Sequence, residues 1–189
     1  MTRPIATILG RCSALFLVGL TCVLGLSQTA RAELGADEQA KADAAIAAAK
    51  TLAAEPAIVD AVKAVNAAPS EEAKAMTQEK WKSLPVLDPF VRSFSKNAAA
   101  AAIKEKKAAN VAEAFVSAAN GTKVAFLAKP TNWSHAGKPK HENPMAGKNW
   151  TGAIEVDDST GVKQLQVSVP VLDGDKPIGS LVVGIDISK

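Results

Sequence analysis

Between Thr131 and Lys138 the chain reads TNWSHAGK, which gathers a tryptophan, one of only two histidines and a lysine into one short stretch. Such a set can hold a metal ion, carry out catalysis or form the rim of a ligand pocket. The stretch is too polar, and too clearly marked by glycine, to belong to a hydrophobic core. Each reading makes further demands on the sequence around it.

A metal site would use His135 and His141. His141-Glu142 opens like the zincin helix motif, but the position that should carry its second histidine is Met145. Two loop histidines with no cysteine and no third histidine give a poor ligand set for zinc, so an exposed loop histidine is the default reading and no metal is expected. Catalysis finds equally little support. Ser134 and His135 are adjacent in sequence, and no Gly-x-Ser-x-Gly turn exists to present a nucleophile. Gly147-Lys148 lacks the spacing of a phosphate loop, and no Cys-x-x-Cys-His could attach a haem. No cofactor is expected. The pocket rim remains, with Trp133 and Trp150 bracketing the loop and offering flat apolar surface together with an N–H donor.

The elements that must position this loop follow an expected leader. Arg3 and Arg11 precede the apolar run Ser13 to Leu26, and Ala30-Arg31-Ala32 supplies an A-x-A cleavage pattern. Residues 1–32 read as a secretory signal peptide, because the run is shorter than the ~20 residues a spanning helix needs. Cleavage after Ala32 is the expectation, and an uncleaved anchor is the alternative. Cleavage would remove Arg3, Arg11 and Arg31, leaving 19 basic residues against the 19 acidic ones. The basic isoelectric point thus belongs to the leader, and no case for nucleic-acid binding survives. Cys12 and Cys22 leave as well, which excludes disulfides and thiolate chemistry. One ordinary hydrophobic core in one domain is expected.

Residues 33–110 are Ala-rich and read as helical. Asp37 can cap a helix reaching about Ala54, where Pro56 interrupts it. Ile58, Val59, Val62 and Val65 then recur on one helical face. Short helices follow around Glu71 to Lys82. Asp88 caps a further helix, with Pro89 in its first turn, running to about Lys107. Residues 111–189 change period. Asn120-Gly121 between two apolar runs signals a hairpin with a type I′ turn. A polar loop spans Pro130 to Trp150, and strands follow. Leu165, Val167, Val169 and Val171 share one face of the first long strand. Leu181, Val183, Ile185 and Ile187 share one face of the last, opposite Val182, Gly184 and Asp186. Helices first and hairpin-linked strands after make an α+β domain with an antiparallel sheet.

Several pieces occur in a telling order: Gly121 to Ala125, Asn132-Trp133, Asp157 to Gly161, Val167 to Val171, and Pro177-Ile178-Gly179 leading into Val183 to Asp186. In this order and spacing the chain resembles the Cache (PDC) sensor domains, extracytoplasmic relatives of the PAS fold. The resemblance implies a five- or six-stranded antiparallel sheet packed on a long N-terminal helix, with a small-molecule pocket under a loop. It also implies a ligand site of Trp133, Lys138, Asp157 and Asp186, and His135 on the same loop is a further candidate ligand residue. The aromatic couple of the amino-acid-binding members is replaced by Lys140-His141, which breaks that motif. Asp186 could still receive an amine.

Because the sequence ends directly after the last strand, the expectation is a free-standing exported sensor, periplasmic or secreted. It is not expected to be an enzyme or to remain inserted in a membrane after cleavage. Its small-molecule ligand would be read by a separate membrane receptor or signalling partner. Two competing readings stay open. One is a structural or interaction protein with a degenerate pocket, favoured if bulky side chains fill the sheet face. The other is a small metal-binding protein using His135 and His141, favoured if the two converge.

Overall fold

The computed structural model describes residues 34–156 and 162–188. The expected leader and Asp157 lie outside the described residues. Among the described residues no helix is long and apolar enough to cross a membrane.

Helix α1 (Ala36–Ala53) starts one residue before Asp37, at the N-cap Gly35. The Glu38 carboxylate takes up the Gly35 N–H at 2.8 Å, so the acidic first turn caps the helix from inside. Pro56 opens α2 (Pro56–Ala67) as well as ending α1, since the first helical position needs no intrahelical N–H. Ile58 and Val62 are fully buried, with Val59 and Val65 packed beside them. The short helices α3 (Glu71–Lys74) and α4 (Gln78–Ser83) are capped by the side chains of Ser70 and Thr77.

Where the sequence predicts one helix from Asp88 to about Lys107, the structure has two, α5 (Pro89–Lys96) and α6 (Ala98–Lys106). Asp88 caps the first as expected. The break is at Asn97, whose Oδ1 accepts from the Ala100 N–H at 2.9 Å while its Nδ2 donates to the Val124 carbonyl at 2.8 Å. A side chain that captures backbone groups competes with helix continuation, and here it also anchors the new N-terminus to the sheet.

Among the described residues five strands form one antiparallel sheet: β1 (Val111–Ala118), β2 (Lys123–Phe126), β3 (Trp150–Val156), β4 (Lys163–Asp173) and β5 (Lys176–Asp186). Their order is β2-β1-β5-β4-β3, so the last strand of the sequence lies in the middle. The alternation read from the sequence holds. Leu165, Val167, Val169, Val171, Leu181, Val183 and Ile185 are all buried, together with Ala114 and Val116, against the core residues of α1, α2 and α6. The other face of the sheet lies under the segment from Leu127 to Asn149, in which a short helix α7 (Pro139–Met145) interrupts the expected loop.

Two details set what that second face displays. The β1–β2 turn has the expected Asn120-Gly121 but is not the type I′ turn. Gly121 N–H bonds to the Ala118 carbonyl and Ala118 N–H to the Thr122 carbonyl, both at 2.9 Å, and Gly121 has φ +81°. This is the three-residue pattern of a type I turn closed by a left-handed glycine. A Cβ on Gly121 would also lie 2.3 Å from the Ala136 nitrogen, so the loop can close down only over a glycine. The second detail is a bulge. Val116 pairs with Ala125 but Ser117 pairs with Lys123, leaving Val124 as the extra residue. Val124 and Ala125 therefore both join the helix-side core, and Lys123 is turned onto the loop side beside Ser117.

Candidate functional site

The strand registers lay out the loop-side face in rows. Ser117 and Ser180 are cross-strand neighbours, and Phe115, Val182, Ser168 and Trp150 form the next row. Glu113, Gly184 and Gln166 make the third, and Asp186, Gln164 and Glu155 the fourth. The first two rows are covered and the last two are open.

An aromatic cluster closes the β2 side. Trp133 packs on Trp81 of α4 with ring centroids 5.1 Å apart, and on Phe90 and Phe94 at 5.7 and 5.5 Å. Its indole is almost fully buried in this cluster, and no described cavity is lined by it. Its backbone N–H is held by the Gln78 side chain at 2.8 Å. Trp133 therefore pins the loop.

Next to it the face is filled by side chains. His135 stacks on Phe115, with centroids 4.6 Å apart and 23° between planes, and its Nδ1 lies 2.5 Å from Lys123 Nζ. Lys123 is 1% exposed, reaches Ser117 Oγ at 3.4 Å and sits 4.8 Å from the Phe115 ring centre. His141 lies on α7, its Nδ1 2.8 Å from Ser180 Oγ and its Nε2 3.2 Å from the Ala119 carbonyl. The two histidines are thus each tied to the sheet by separate partners. Among the described residues no group of three His, Cys, Asp or Glu side chains gathers around a metal position.

Burial governs the protonation of this cluster. It holds the Lys123 amine down from 10.5 to about 7, with Glu113 opposing the shift and Lys140 adding to it. Burial likewise lowers His135 to about 3, helped by the positive charges of Lys123, Lys140 and Lys138 and by His141. His141 is lowered in the same way. A histidine whose folded value lies below its unfolded one costs stability as the pH falls through the unfolded value near 6.5. For His135 that loss should accumulate from about pH 6.5 to about pH 3. Urea unfolding of a His135→Gln variant should show a shallower acid slope over this interval than the parent. An identical slope would mean that His135 takes up protons freely in the fold.

The open half lies over the third and fourth rows. Glu113 and Gln166 flank Gly184, and the Gln166 amide crosses above the glycine to donate to Glu113 Oε2 at 2.8 Å. A Cβ on Gly184 would come within 3.2 Å of Glu113 Cβ and 3.5 Å of its Oε2, so a side chain here would crowd the bridge. From α7, Lys140 donates to Gln166 Oε1 and its ammonium lies 5.9 Å from the Trp150 ring. The Trp150 ring lies over Gly152, whose missing Cβ leaves space for it. Above these groups is a polar cleft of about 380 Å³, lined by Glu113, Glu155, Gln164, Gln166, Trp150 and Thr131 among others. Asp186 lines an adjoining hollow of about 160 Å³ that shares Gln164 with the cleft. Its Oδ1 accepts from the N–H and the hydroxyl of Ser188 at 2.9 and 2.5 Å.

Of the residues singled out from sequence, Asp186 borders this open region. His135 lies under the loop in the filled half, and Lys138 is exposed at the N-cap of α7. Its neighbour Lys140 is the lysine that reaches the sheet. Sequence reasoning missed Glu113, Gln166 and Lys140. The alternation of β1 and β4 places Glu113 and Gln166 on the face opposite the core residues, which was the available signal.

With this geometry the chain is similar to bacterial sensor domains. One is the sensor domain of the histidine kinase DctB of V. cholerae, at 15% identity and a TM-score of 0.44, with 79% of this chain and 53% of that one covered. Another is the DcuS sensor domain of E. coli, at 15% identity and 0.46, covering 80% and 92%. A third is the ligand-binding domain of the Pseudomonas aeruginosa PAO1 amino acid chemoreceptor PctC, in complex with GABA, at 14% and 0.42, covering 79% and 53%. The chain spans about half the length of the DctB and PctC domains it matches. These neighbours are Cache (PDC) sensor domains, the class that the sequence resembles. No family model matches the chain, and no curated protein sequence matches it.

Proposed function

We propose that the chain is an extracytoplasmic sensor module that binds a small amine-bearing metabolite in the cleft over Glu113, Gly184 and Gln166. The observation that carries this reading is the bridged row itself. A glycine in the central strand lets an acid and an amide meet across it, beneath an open cleft of about 380 Å³. That volume lies within the range of small-molecule sites. Glu113 and Glu155 suit an ammonium group, Gln164 and Gln166 orient donors and acceptors, and the Trp150 face attracts cations. Asp186 contributes from the adjoining hollow through Gln164. Trp133 and His135 hold the covering loop in place.

Signalling follows from the link between cleft and loop. Lys140 reaches Gln166, and Gln166 reaches Glu113. A ligand ammonium competing for Glu113 and Gln166 would release Lys140 and shift the balance of α7 against the sheet. A separate membrane partner would read that change, in keeping with the expected leader and a periplasmic or secreted location. A second reading, an interaction protein with a degenerate pocket, is favoured by the filling of the other half of the face by Phe115, Lys123 and His135.

A thermal-shift screen of primary-amine metabolites tests the first reading. A ligand that binds only the folded state should stabilise it by about 2.7 kcal/mol at 100 times its dissociation constant. Glu113→Gln should then weaken that ligand by about 1.5–3 kcal/mol, the range for a hydrogen bond to a charged group. Full affinity in Glu113→Gln would move the site away from the cleft. A screen without any stabilising amine would favour the interaction protein.

A further inference from the structure

A different cavity lies on the opposite, helix-side face of the sheet. It occupies about 180 Å³ between α1 and the start of β1. Its walls are Ala45, Ala48 and Leu52 of α1, Val111 of β1, and Val183 and Ile185 of the central strand β5. Ala44, Ala45, Ala48 and Ala49 of α1 line it, and alanine side chains occupy little of the space beside Val183 and Ile185. An engineered apolar cavity of about 150 Å³ stays dry and takes up a benzene-sized guest. This one is of that scale, but it opens to the surface.

The mouth of the cavity is basic. Lys41, Lys106 and Lys107 line it, and no acidic residue does. Lys106 is paired with Glu55 at 2.6 Å. Lys41 donates to the Ile187 carbonyl at 2.6 Å and Lys107 to the Val111 carbonyl at 3.3 Å. Among the described residues neither Lys41 nor Lys107 is in an ion pair. Each ammonium has three donors, so one carbonyl bond leaves two N–H groups for an anion.

We infer that this groove is a second ligand site, which takes an amphipathic carboxylate of about eight carbons with its tail on Val183 and Ile185 and its head between Lys41 and Lys107. The complementarity is twofold: an apolar floor of limited volume, and a rim on which Lys41 and Lys107 are in no ion pair among the described residues. Neither feature belongs to the cleft on the other face, so the two sites are independent.

Octanoate is the probe, titrated against the full chain as recovered from an exporting host. It should raise the melting temperature saturably, and octan-1-ol should do so at least tenfold less effectively. Lys41→Gln with Lys107→Gln should weaken octanoate about tenfold or more, whereas Lys80→Gln with Lys82→Gln on the exposed face of α4, a change of equal charge elsewhere, should not. Ala45→Leu should fill the groove and abolish the octanoate shift, and Ala48→Leu, nearer the surface, does the same if the first variant does not fold. No saturable shift with octanoate overturns the site. So does an octanoate shift that persists in the folded leucine variants, or one that octan-1-ol matches.

Discussion

Trp81→Ala should lower folding stability by about 3–5 kcal/mol, the range for truncating a buried Trp or Phe in a packed core. Trp81 is fully buried although α4, its helix, is only six residues long. Helices of that length have almost no stability of their own, because the nucleation cost is not recovered. The side chain supplies what the helix lacks. Its ring meets Phe94, Phe126 and Trp133 at centroid distances of 6.2, 6.1 and 5.1 Å, and its Nε1–H donates to the Pro130 carbonyl at 2.8 Å. Lys129 lies 4.9 Å from the ring centre and ties down the Trp81 and Leu84 carbonyls at 2.6 and 2.7 Å. The same residue therefore holds α4, the end of β2 and the base of the loop. Trp81→Phe should cost less, about 1–3 kcal/mol, mainly by leaving the buried Pro130 carbonyl without its donor. Chemical denaturation of the three proteins decides this, and a loss below 1 kcal/mol in Trp81→Ala would show that the cluster is not what fixes the loop.

Lys123→Met should stabilise the protein by about 1–4 kcal/mol below pH 7, the range seen when buried charged groups give way to apolar ones of similar volume. The direction follows from the lysine's burial. Its folded value is about 7 against 10.5 when exposed, so between those limits the unfolded chain holds a proton that the folded chain has released. Stability then rises with pH from about 7 to about 10.5, and below 7 the full cost of the buried ammonium is present. That cost is on the order of 5 kcal/mol at ~1.4 kcal/mol for each tenfold change in proton affinity. The methionine variant forfeits the contacts to Ser117 and His135, which keeps the net gain smaller. Urea unfolding at pH 6 and pH 9.5 separates the terms: the parent should be more stable at pH 9.5, and the variant should lose that difference. Parallel profiles for the two proteins would show that Lys123 titrates normally in the fold. A natural core that keeps such a lysine gives up stability for the polar bridge it forms under the loop.

Much of this architecture is legible in short-range patterns. The period-two alternation of Leu165, Val167, Val169 and Val171 marks the core face of β4 without reference to any partner strand. Pro56, Pro89 and the Asp88 cap act on their own turn of backbone, and they punctuate the helices where the sequence says they should. Gly121 is legible for the same reason, since a left-handed turn residue is a local requirement. The break at Asn97 is less so, because half of what holds it is a bond to Val124, a residue that sequence spacing does not bring near.

The face under the loop was decided by tertiary structure. The sequence by itself determined that Glu113, Gln166, Gly184 and Asp186 point away from the core, because side-chain direction in a strand depends only on the parity of its neighbours. It did not determine that the first three form one row, since that requires β5 to insert between β1 and β4 in a particular register. The bulge at Val124 turned Lys123 beneath the loop, a one-residue change that reverses the face of a side chain. Trp133 reads as a loop aromatic until Trp81, distant in the chain, provides the surface that buries it. Residue type and period are local and survive in any fold, whereas register, bulges and cross-chain packing are fixed only when distant segments pair.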